Sequence, residues 1–405
     1  MSREILPYEL LRERLRGERL PCAFVNLDAF DRNVRRIVGD VATAGKRFRP
    51  ASKSIRSVDL LRRVFDVGGP SVRGVMTYTT EEAAFLHERG FDDLLIAYPS
   101  VQPSDLETLA KLTLDGANAA LMVDDARQID AMSAVGRRAG TTLRACLELD
   151  VAYRPVESGA LHLGVLRSPI RDPEAALTLV RHAERAGGVR VVGIMAYEAQ
   201  VAGLPDANPF TRAMNPLKRL VRRRSVPDVA ERRARLVERL RAAGVELQFV
   251  NGGGTGSIDT TSTESVVTEV TAGSGFYCPT QFDYYSNIHL LPAAFFACQV
   301  VRIPKPGMVT CQGGGYIASG EAGPDKVPVP WLPAGASVTK AEAAGEVQTP
   351  VLLPEGVEVA IGDPVIFRHF KAGELCERFN ELILFENGEI TGRVPTYRGE
   401  GKCFL

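Results

Sequence analysis

Apolar and polar positions follow one pattern over the first two thirds of the chain. Short apolar runs are followed by amphipathic stretches, for example at residues 57–67, 80–88 and 126–139. Buried strands that alternate with helical segments are typical of parallel βα units. The pattern predicts strands at residues 24–28, 47–53, 74–78, 93–99, 119–124, 143–150, 191–198, 246–254 and 266–273.

These strands predict an α/β fold with two parts. Without the first strand eight remain, which is the number that a (β/α)8 TIM-like barrel needs. After about residue 285 the helical periodicity stops and Gly/Pro-punctuated strands follow. Such a run of strands indicates a second, C-terminal β domain. Its strands are predicted at residues 295–303, 308–312, 357–361, 364–368 and 382–385.

Composition and charge restrict the partners of the protein. The 405 residues carry 49 Lys+Arg against 49 Asp+Glu, so neither nucleic acid nor an anionic membrane is indicated. No apolar run reaches membrane-spanning length, and the first residues contain no signal-peptide core. Seven scattered cysteines without a C-x-x-C pair favour reduced thiols and a cytoplasmic protein. The Arg-rich residues 227–243, which follow an insertion at 202–224, are interpreted as a solvated helix.

A lysine ends the second predicted strand. Lys53 lies at residues 47–53, where burial of an ammonium is costly and lowers its pKa. An amine of lowered pKa is a nucleophile for Schiff-base formation. The alternative is a lysine that has simply reached solvent at the rim of the barrel.

Two glycine-rich loops follow the last two barrel strands. The sequence NGGGTGS covers residues 251–257, and TAGSG covers 271–275. Glycine lets backbone N–H groups approach an anion closely, and late barrel loops commonly bind phosphate. Tyr197, at the end of another strand, can hydrogen-bond a ligand or pack on its neighbours. A lysine and a phosphate cradle at one end of a barrel together fit pyridoxal phosphate.

The sequence resembles a known family at these residues. The matching stretches are residues 25–33, 49–54, 193–198, 252–257 and 267–274, in order over nearly the whole chain. They resemble the fold-type III pyridoxal-phosphate enzymes, which have the alanine racemase-like barrel. Within them the similarity is to the D-threonine aldolase and D-serine dehydratase branch.

The resemblance implies roles for the residues singled out above. Lys53 would be the Schiff-base lysine, and Tyr197 would lie near the cofactor ring or the substrate. The phosphate would be surrounded by Gly253, Gly254, Thr255, Gly273 and Ser274. The first predicted strand would join the C-terminal β domain, so that the barrel covers residues 35–285 and the β domain residues 1–34 plus 286–405. The family also implies a homodimer.

The sequence departs from the branch in two places. The branch has an Arg-x-Gly-Val element, where this chain has HLGV at residues 162–165, so either Arg154 or His162 takes the arginine's role. The branch also binds a divalent metal through a His-x-Cys or His-x-Asp pair. Here His369 has the place of the histidine, but Lys371 follows two residues later and a charged ammonium is no ligand.

A displaced second ligand would restore a metal site. Glu374 or Cys376 would supply it beside His369, and the combination would suit Zn or Mn. Without a metal, His369 and Lys371 would act as acid–base groups or bind the substrate carboxylate.

The resemblance implies a pyridoxal-phosphate-dependent lyase acting on a D-3-hydroxy amino acid. Retro-aldol cleavage would give glycine and an aldehyde, and dehydration would give a 2-oxo acid and ammonia. An amino acid racemase is an alternative, but racemisation needs a proton donor on each face of the substrate, and the sequence contains no convincing match to the tyrosine motif that supplies the second donor. A non-catalytic protein that binds the cofactor for homeostasis is another alternative. The long C-terminal segment argues against it, because such proteins consist of a single barrel.

Overall fold

The computed structural model describes residues 6–156, 160–321 and 323–404. Its strands are β1 (Cys22–Asn26), β2 (Arg47–Pro50), β3 (Val75–Thr77), β4 (Leu94–Ile96), β5 (Ala119–Val123), β6 (Leu143–Glu148), β7 (Val189–Ala196), β8 (Phe249–Gly252), β9 (Glu269–Ala272), β10 (Ala294–Lys305), β11 (Met308–Gln312), β12 (Val329–Leu332), β13 (Ser337–Val338), β14 (Gln348–Leu352), β15 (Pro364–Arg368), β16 (Glu381–Glu386) and β17 (Glu389–Pro395).

The helices lie between these strands, mostly in the first two thirds of the chain. They are α1 (Tyr8–Arg14), α2 (Leu27–Thr43), α3 (Val58–Gly68), α4 (Thr80–His87), α5 (Pro103–Leu114), α6 (Ala126–Ala139), α7 (Pro173–Ala186), α8 (Ala199–Ala202), α9 (Asn215–Ala242) and α10 (Ile258–Thr261). Several begin at a side chain that accepts backbone N–H groups, as Asn26 does for α2 and Asp125 does for α6. None of the described helices has the length and apolar character that a membrane span requires.

Strands β2 to β9 form the predicted barrel. They are parallel and run in the order β2-β9-β8-β7-β6-β5-β4-β3, and single bridges from Phe48 to Val72 and from Ala51 to Met76 bring β2 next to β3. Side chains from alternate positions fill the interior, among them Met122, Cys146 and Phe249. The prediction of eight barrel strands is therefore confirmed, and the carboxyl ends of all eight lie at one rim.

The second sheet is built from both ends of the chain. Strand β1 lies between β10, to which it is antiparallel, and β16, to which it is parallel. The predicted β domain is confirmed, but the strand predicted at residues 357–361 is wrong. Gly356 and Gly362 flank that segment with positive φ angles of 77° and 98°, and Ile361 is exposed, so the segment is irregular and lies between two turns.

The limits of the two parts are less sharp than the sequence pattern predicts. The boundary predicted at residue 34 falls inside α2, a continuous helix that packs on β2 and α3 of the barrel and on β16 of the other sheet. The division into residues 35–285 and residues 1–34 plus 286–405 stays a prediction.

The Arg-rich segment is not solvated throughout. It belongs to α9, and Arg232, Arg235 and Arg239 form surface ion pairs as predicted. Arg233 is the exception, because it is only 1% exposed and pairs with the carboxylates of Glu198 and Glu264. The interpretation of the whole run as a solvated face is wrong at this residue, since α9 packs that side against the barrel.

Candidate active site

A cavity of about 490 Å³ opens at the carboxyl ends of the barrel strands. This volume is in the range of pockets that hold cofactor-sized ligands. The structure brings seven of the sequence-predicted residues to its wall, namely Lys53, Tyr197, Gly253, Gly254, Thr255, Gly273 and Ser274. Their individual roles stay predictions.

Lys53 lies just beyond the end of β2, in a single 3₁₀ turn, Ser52–Ser54. Its side chain is exposed to the cavity rather than buried in a strand. The ammonium donates to the Tyr98 hydroxyl at 2.7 Å. Burial raises the pKa of Tyr98, but the positive charges of Lys53 and Arg167 outweigh burial and the net pKa is lowered.

Tyr98 and Arg167 are site residues that the sequence analysis missed. Tyr98 comes two residues after β4, and Lys53 and Tyr197 likewise lie within three residues of the carboxyl ends of their strands. That shared position was the available signal. The guanidinium of Arg167 lies over the rings of Tyr98 and Tyr197, at 5.5 and 5.7 Å from their centroids.

The β domain holds the turn that carries Lys53. The backbone carbonyl of Ile55 accepts hydrogen bonds from the Tyr277 hydroxyl at 2.8 Å and from the Cys376 thiol at 3.2 Å. Gly373 packs so closely that an added Cβ would overlap the Lys53 carbonyl oxygen. A side chain at this glycine would have to displace the lysine turn.

Gly373→Ala should therefore slow a reaction of the Lys53 amine by about 10- to 100-fold, because small displacements of a reacting group are costly. The measurement is the rate at which this amine forms a Schiff base with an added aldehyde, followed by absorbance. Gly392→Ala is the control, since an added Cβ there has no neighbour within 4 Å. Equal behaviour of the two variants would contradict the tight packing on Lys53.

The two glycine-rich loops form a cradle of backbone amides. The Thr255 hydroxyl accepts the Gly275 N–H at 3.1 Å and so joins one loop to the other. Within the described residues, the N–H groups of Thr255, Gly273 and Ser274 donate to no protein acceptor. Free amides at the wall of a cavity suit a phosphate group.

The backbone geometry of the cradle requires glycine. Gly253 has a φ of 102°, and an added Cβ would lie 2.6 Å from a methyl group of Val270. At Gly254 an added Cβ would meet Ala202 and the Tyr197 ring at 2.8 and 3.2 Å. The cradle is thus shaped to bring main chain, rather than side chains, to a ligand.

The buried side chain of Glu198 holds the glycine-rich loop at residues 251–257 in place. Its carboxylate accepts the Gly253 N–H at 3.2 Å and the Ser257 hydroxyl at 2.6 Å, and also pairs with Thr261 and Arg233. Burial raises the pKa of Glu198, but the Arg233 guanidinium and the hydroxyl donors lower it below its ordinary value. The sequence analysis quoted Glu198 in a motif without giving it this role.

Arg154 and His162 are not among the described residues that line the cavity, and the role expected of one of them stays a prediction. Arg154 donates to the His162 ring nitrogen Nδ1 at 3.1 Å and pairs with Asp150 at 3.0 Å. Residues 157–159 of the same loop lie outside the described part of the chain. Arg167, two residues beyond the HLGV element, is the arginine that lines the cavity.

Glu148 ends β6 with its side chain buried close to Arg167. Burial raises its pKa to about 7, although the charge of Arg167 acts in the opposite direction. A carboxyl group titrating near neutrality gives the stability of this region a pH dependence.

The folded state should lose stability as the pH rises from about 4.5 to about 7, because folded Glu148 retains a proton that the unfolded chain releases. Glu148→Gln should remove about 2 to 3 kcal/mol of this decline. The measurement is denaturant unfolding of the cofactor-free protein across that window. Glu107→Gln, at a 62% exposed side chain, is the control. A Glu148→Gln profile parallel to the wild type would contradict the raised pKa.

His369 and Cys376, the predicted metal ligands, are both buried, and neither lines the cavity. His369 is 3% exposed, its ring nitrogens complete no hydrogen bond of normal geometry, and burial lowers its pKa to about 3. Cys376 is a buried thiol committed to the Ile55 carbonyl, and burial raises its pKa to about 12. Over the described residues, no three His, Cys, Asp or Glu side chains come together to hold a metal ion. The neighbours of His369 in sequence are a cation, Lys371, and a thiol that donates to a carbonyl, Cys376, and this donor set does not fit Zn or Mn.

Lys371 and Glu374 line the cavity instead. The Lys371 ammonium donates to the backbone carbonyl and the hydroxyl of Ser319 at 3.0 and 2.9 Å. Glu374 accepts the Ser319 N–H at 2.9 Å and the same hydroxyl. Ser319, Lys371 and Glu374 thus form the wall that the β domain contributes to the cavity.

Fold and site together define a class of protein. A parallel barrel with an added β domain, a lysine after its first strand and an amide cradle after its last two strands are the features of a fold-type III pyridoxal-phosphate protein. The chain belongs to the family "Alanine racemase, N-terminal domain", whose profile matches residues 25–281. This family is one of pyridoxal-phosphate-dependent proteins.

Individual relatives support this assignment. A 3-hydroxy-D-aspartate aldolase of Paracoccus denitrificans (strain Pd 1222) is 30% identical over 271 residues, which are 66% of this chain and 62% of that protein. A D-threo-3-hydroxyaspartate dehydratase of Delftia sp. (strain HT23) is 27% identical over 62% of this chain and 60% of its own length. The match thus spans less than two thirds of each of these relatives.

A solved structure shows the same fold. The D-threonine aldolase from Filomicrobium marinum superposes with a TM-score of 0.77 at 21% identity, over 94% of this chain and 96% of that one. The superposition includes the β domain as well as the barrel.

Proposed function

We propose that this protein is a pyridoxal-phosphate-dependent lyase that acts on D-3-hydroxy amino acids. The observation that carries the proposal is one cavity in which the Lys53 amine faces a cradle of unoccupied backbone amides. The names of the relatives, two aldolases and a dehydratase of hydroxy amino acids, support the substrate class.

Each part of the cavity has a task in this proposal. When bound, pyridoxal phosphate stabilises negative charge at the Cα atom of an attached amino acid. Lys53 would attach it, and the amides of Thr255, Gly273 and Ser274 would hold the phosphate. Tyr98 orients the Lys53 amine through their 2.7 Å hydrogen bond. Arg167 brings a positive charge to the wall, where it would meet the substrate carboxylate.

Two reactions of a D-3-hydroxy amino acid fit this cavity. Cleavage between Cα and Cβ gives glycine and an aldehyde, and loss of the β-hydroxyl gives a 2-oxo acid and ammonia. The similarity to both an aldolase and a dehydratase keeps the two reactions within the proposal. Racemisation would instead return the intact amino acid.

The test is to incubate the pyridoxal-phosphate-loaded protein with D- and L-3-hydroxy amino acids in D₂O and to follow the products by proton NMR. Glycine plus aldehyde from the D substrates would establish an aldolase, and oxo acid plus ammonia a dehydratase. Deuterium at Cα of both enantiomers without cleavage would overturn the proposal in favour of a racemase. No turnover by a loaded protein would also overturn it.

The assembly and location of the protein are further parts of the proposal. A homodimer is expected from the resemblance, and light scattering of the loaded protein would measure it. The seven cysteines form no disulfide among the described residues, and a reducing compartment such as the cytoplasm is part of the proposal.

A further inference from the structure

The wall of the cavity next to Lys53 contains a cation where the resemblance places a metal ligand. Lys371 lies two residues after His369, and its side chain is 40% exposed into the cavity region. His369 itself is buried and does not line the cavity. His369, the potential metal ligand, is therefore separated from the cavity, whereas the Lys371 ammonium lies at the cavity wall.

Three contacts hold Lys371 in this place. Two of its three N–H donors are used by the carbonyl and the hydroxyl of Ser319. The Glu374 carboxylate, 3.9 Å from the ammonium, accepts from the N–H and the hydroxyl of the same serine. The ammonium is thus compensated by a carboxylate and still has a donor left for a ligand.

The position of this group relative to Lys53 is fixed by the backbone. Gly373 lies directly against the Lys53 carbonyl, and Arg56 donates to that carbonyl at 2.9 Å while it pairs with Glu377. Lys371 and Glu374 flank Gly373 in sequence. A substrate bound at the Lys53 amine would therefore share one cavity with Lys371 and Glu374.

We propose that the Lys371 ammonium, held by Ser319 and Glu374, binds the β-oxygen of the substrate in place of a divalent metal. This inference rests on the proposed function, because it assigns the group that recognises the 3-hydroxyl. A cation that donates a hydrogen bond stabilises negative charge developing on that oxygen.

The first part of the test is the metal content of the purified, pyridoxal-phosphate-loaded enzyme, measured by inductively coupled plasma mass spectrometry. We expect far less than one equivalent of metal, and turnover that is unchanged by EDTA or by added Mn²⁺ or Zn²⁺. A bound equivalent whose removal abolishes turnover would overturn the proposal.

The second part compares Lys371→Met with Lys305→Met, which changes an exposed lysine at the end of β10. We expect kcat/KM for the D-3-hydroxy substrate to fall about 100- to 1000-fold in the first variant, the loss typical of a removed oxyanion donor. Binding of glycine, which has no β-oxygen, should change less than about twofold in an absorbance titration, since glycine makes no contact that this donor supplies.

The outcomes separate this inference from the proposed function. If the wild-type enzyme turns over no hydroxy amino acid, the proposed function fails. If the wild type is active and Lys371→Met retains its kcat/KM, or loses glycine binding to the same degree as turnover, the role of Lys371 is wrong. Thermal unfolding of both variants identifies a variant that is merely unfolded, and Lys371→Arg, which keeps the charge, should then recover part of the lost kcat/KM.

Discussion

Lys53→Ala should abolish covalent attachment of pyridoxal phosphate and reduce turnover at least about 1000-fold. The Lys53 amine lies in the cavity, where it donates to the Tyr98 hydroxyl. The methyl group of alanine has no nitrogen, so the variant has no nucleophile at that position. The amide cradle does not include the lysine side chain, so the phosphate site should survive. The variant is therefore expected to bind the cofactor reversibly but not covalently.

Borohydride reduction followed by peptide mass spectrometry measures this directly. In the wild type the reduced cofactor should be found on the peptide that contains Lys53, and in the variant on no peptide. Lys111→Ala, at an exposed position on α5, is the control and should behave like the wild type. A cofactor adduct that remains after Lys53→Ala, on Lys371 for example, would contradict the assignment.

Much of this site could be predicted because its parts are local in sequence. Lys53 and the loops at residues 251–257 and 271–275 all follow barrel strands, and the topology of a barrel brings strand ends together. The glycine-rich loops could be recognised from their own sequences, without information about distant residues. Tyr98 occupies the same kind of position, and was missed only because its strand carried no other signal.

The remaining parts depend on contacts between distant segments. His369 follows β15 and is buried in the folded chain, and neither its burial nor the hydrogen bond from Cys376 to Ile55 is visible in the order of residues. Arg233 was assigned to a solvated face because its neighbours on α9 are arginines. Its partners Glu198 and Glu264 are 35 and 31 residues away in sequence, so only the folded chain shows the pair.

The same buried pair gives a second large effect, on stability. Glu198→Gln should lower the free energy of unfolding by about 3 to 5 kcal/mol, because it leaves the Arg233 guanidinium buried with part of its charge uncompensated. It should also weaken cofactor binding, since Gly253 and Ser257 lose the carboxylate that fixes the loop. Denaturant unfolding of the cofactor-free protein and an absorbance titration with pyridoxal phosphate measure the two effects separately.

A surface pair and a double variant make this test specific. Glu174→Gln removes a carboxylate from the exposed pair with Arg239 and should cost less than about 1 kcal/mol. Combining Glu198→Gln with Arg233→Met removes the guanidinium and leaves Glu264 as the one charged member of the group. Part of the lost stability should return, because a buried carboxyl group can take up a proton whereas a guanidinium cannot release one. The affinity for pyridoxal phosphate should stay low in the double variant, since glutamine offers the loop one acceptor oxygen where the carboxylate offers two. Full recovery of both properties would mean that Glu198 serves only to neutralise Arg233 and does not shape the cradle.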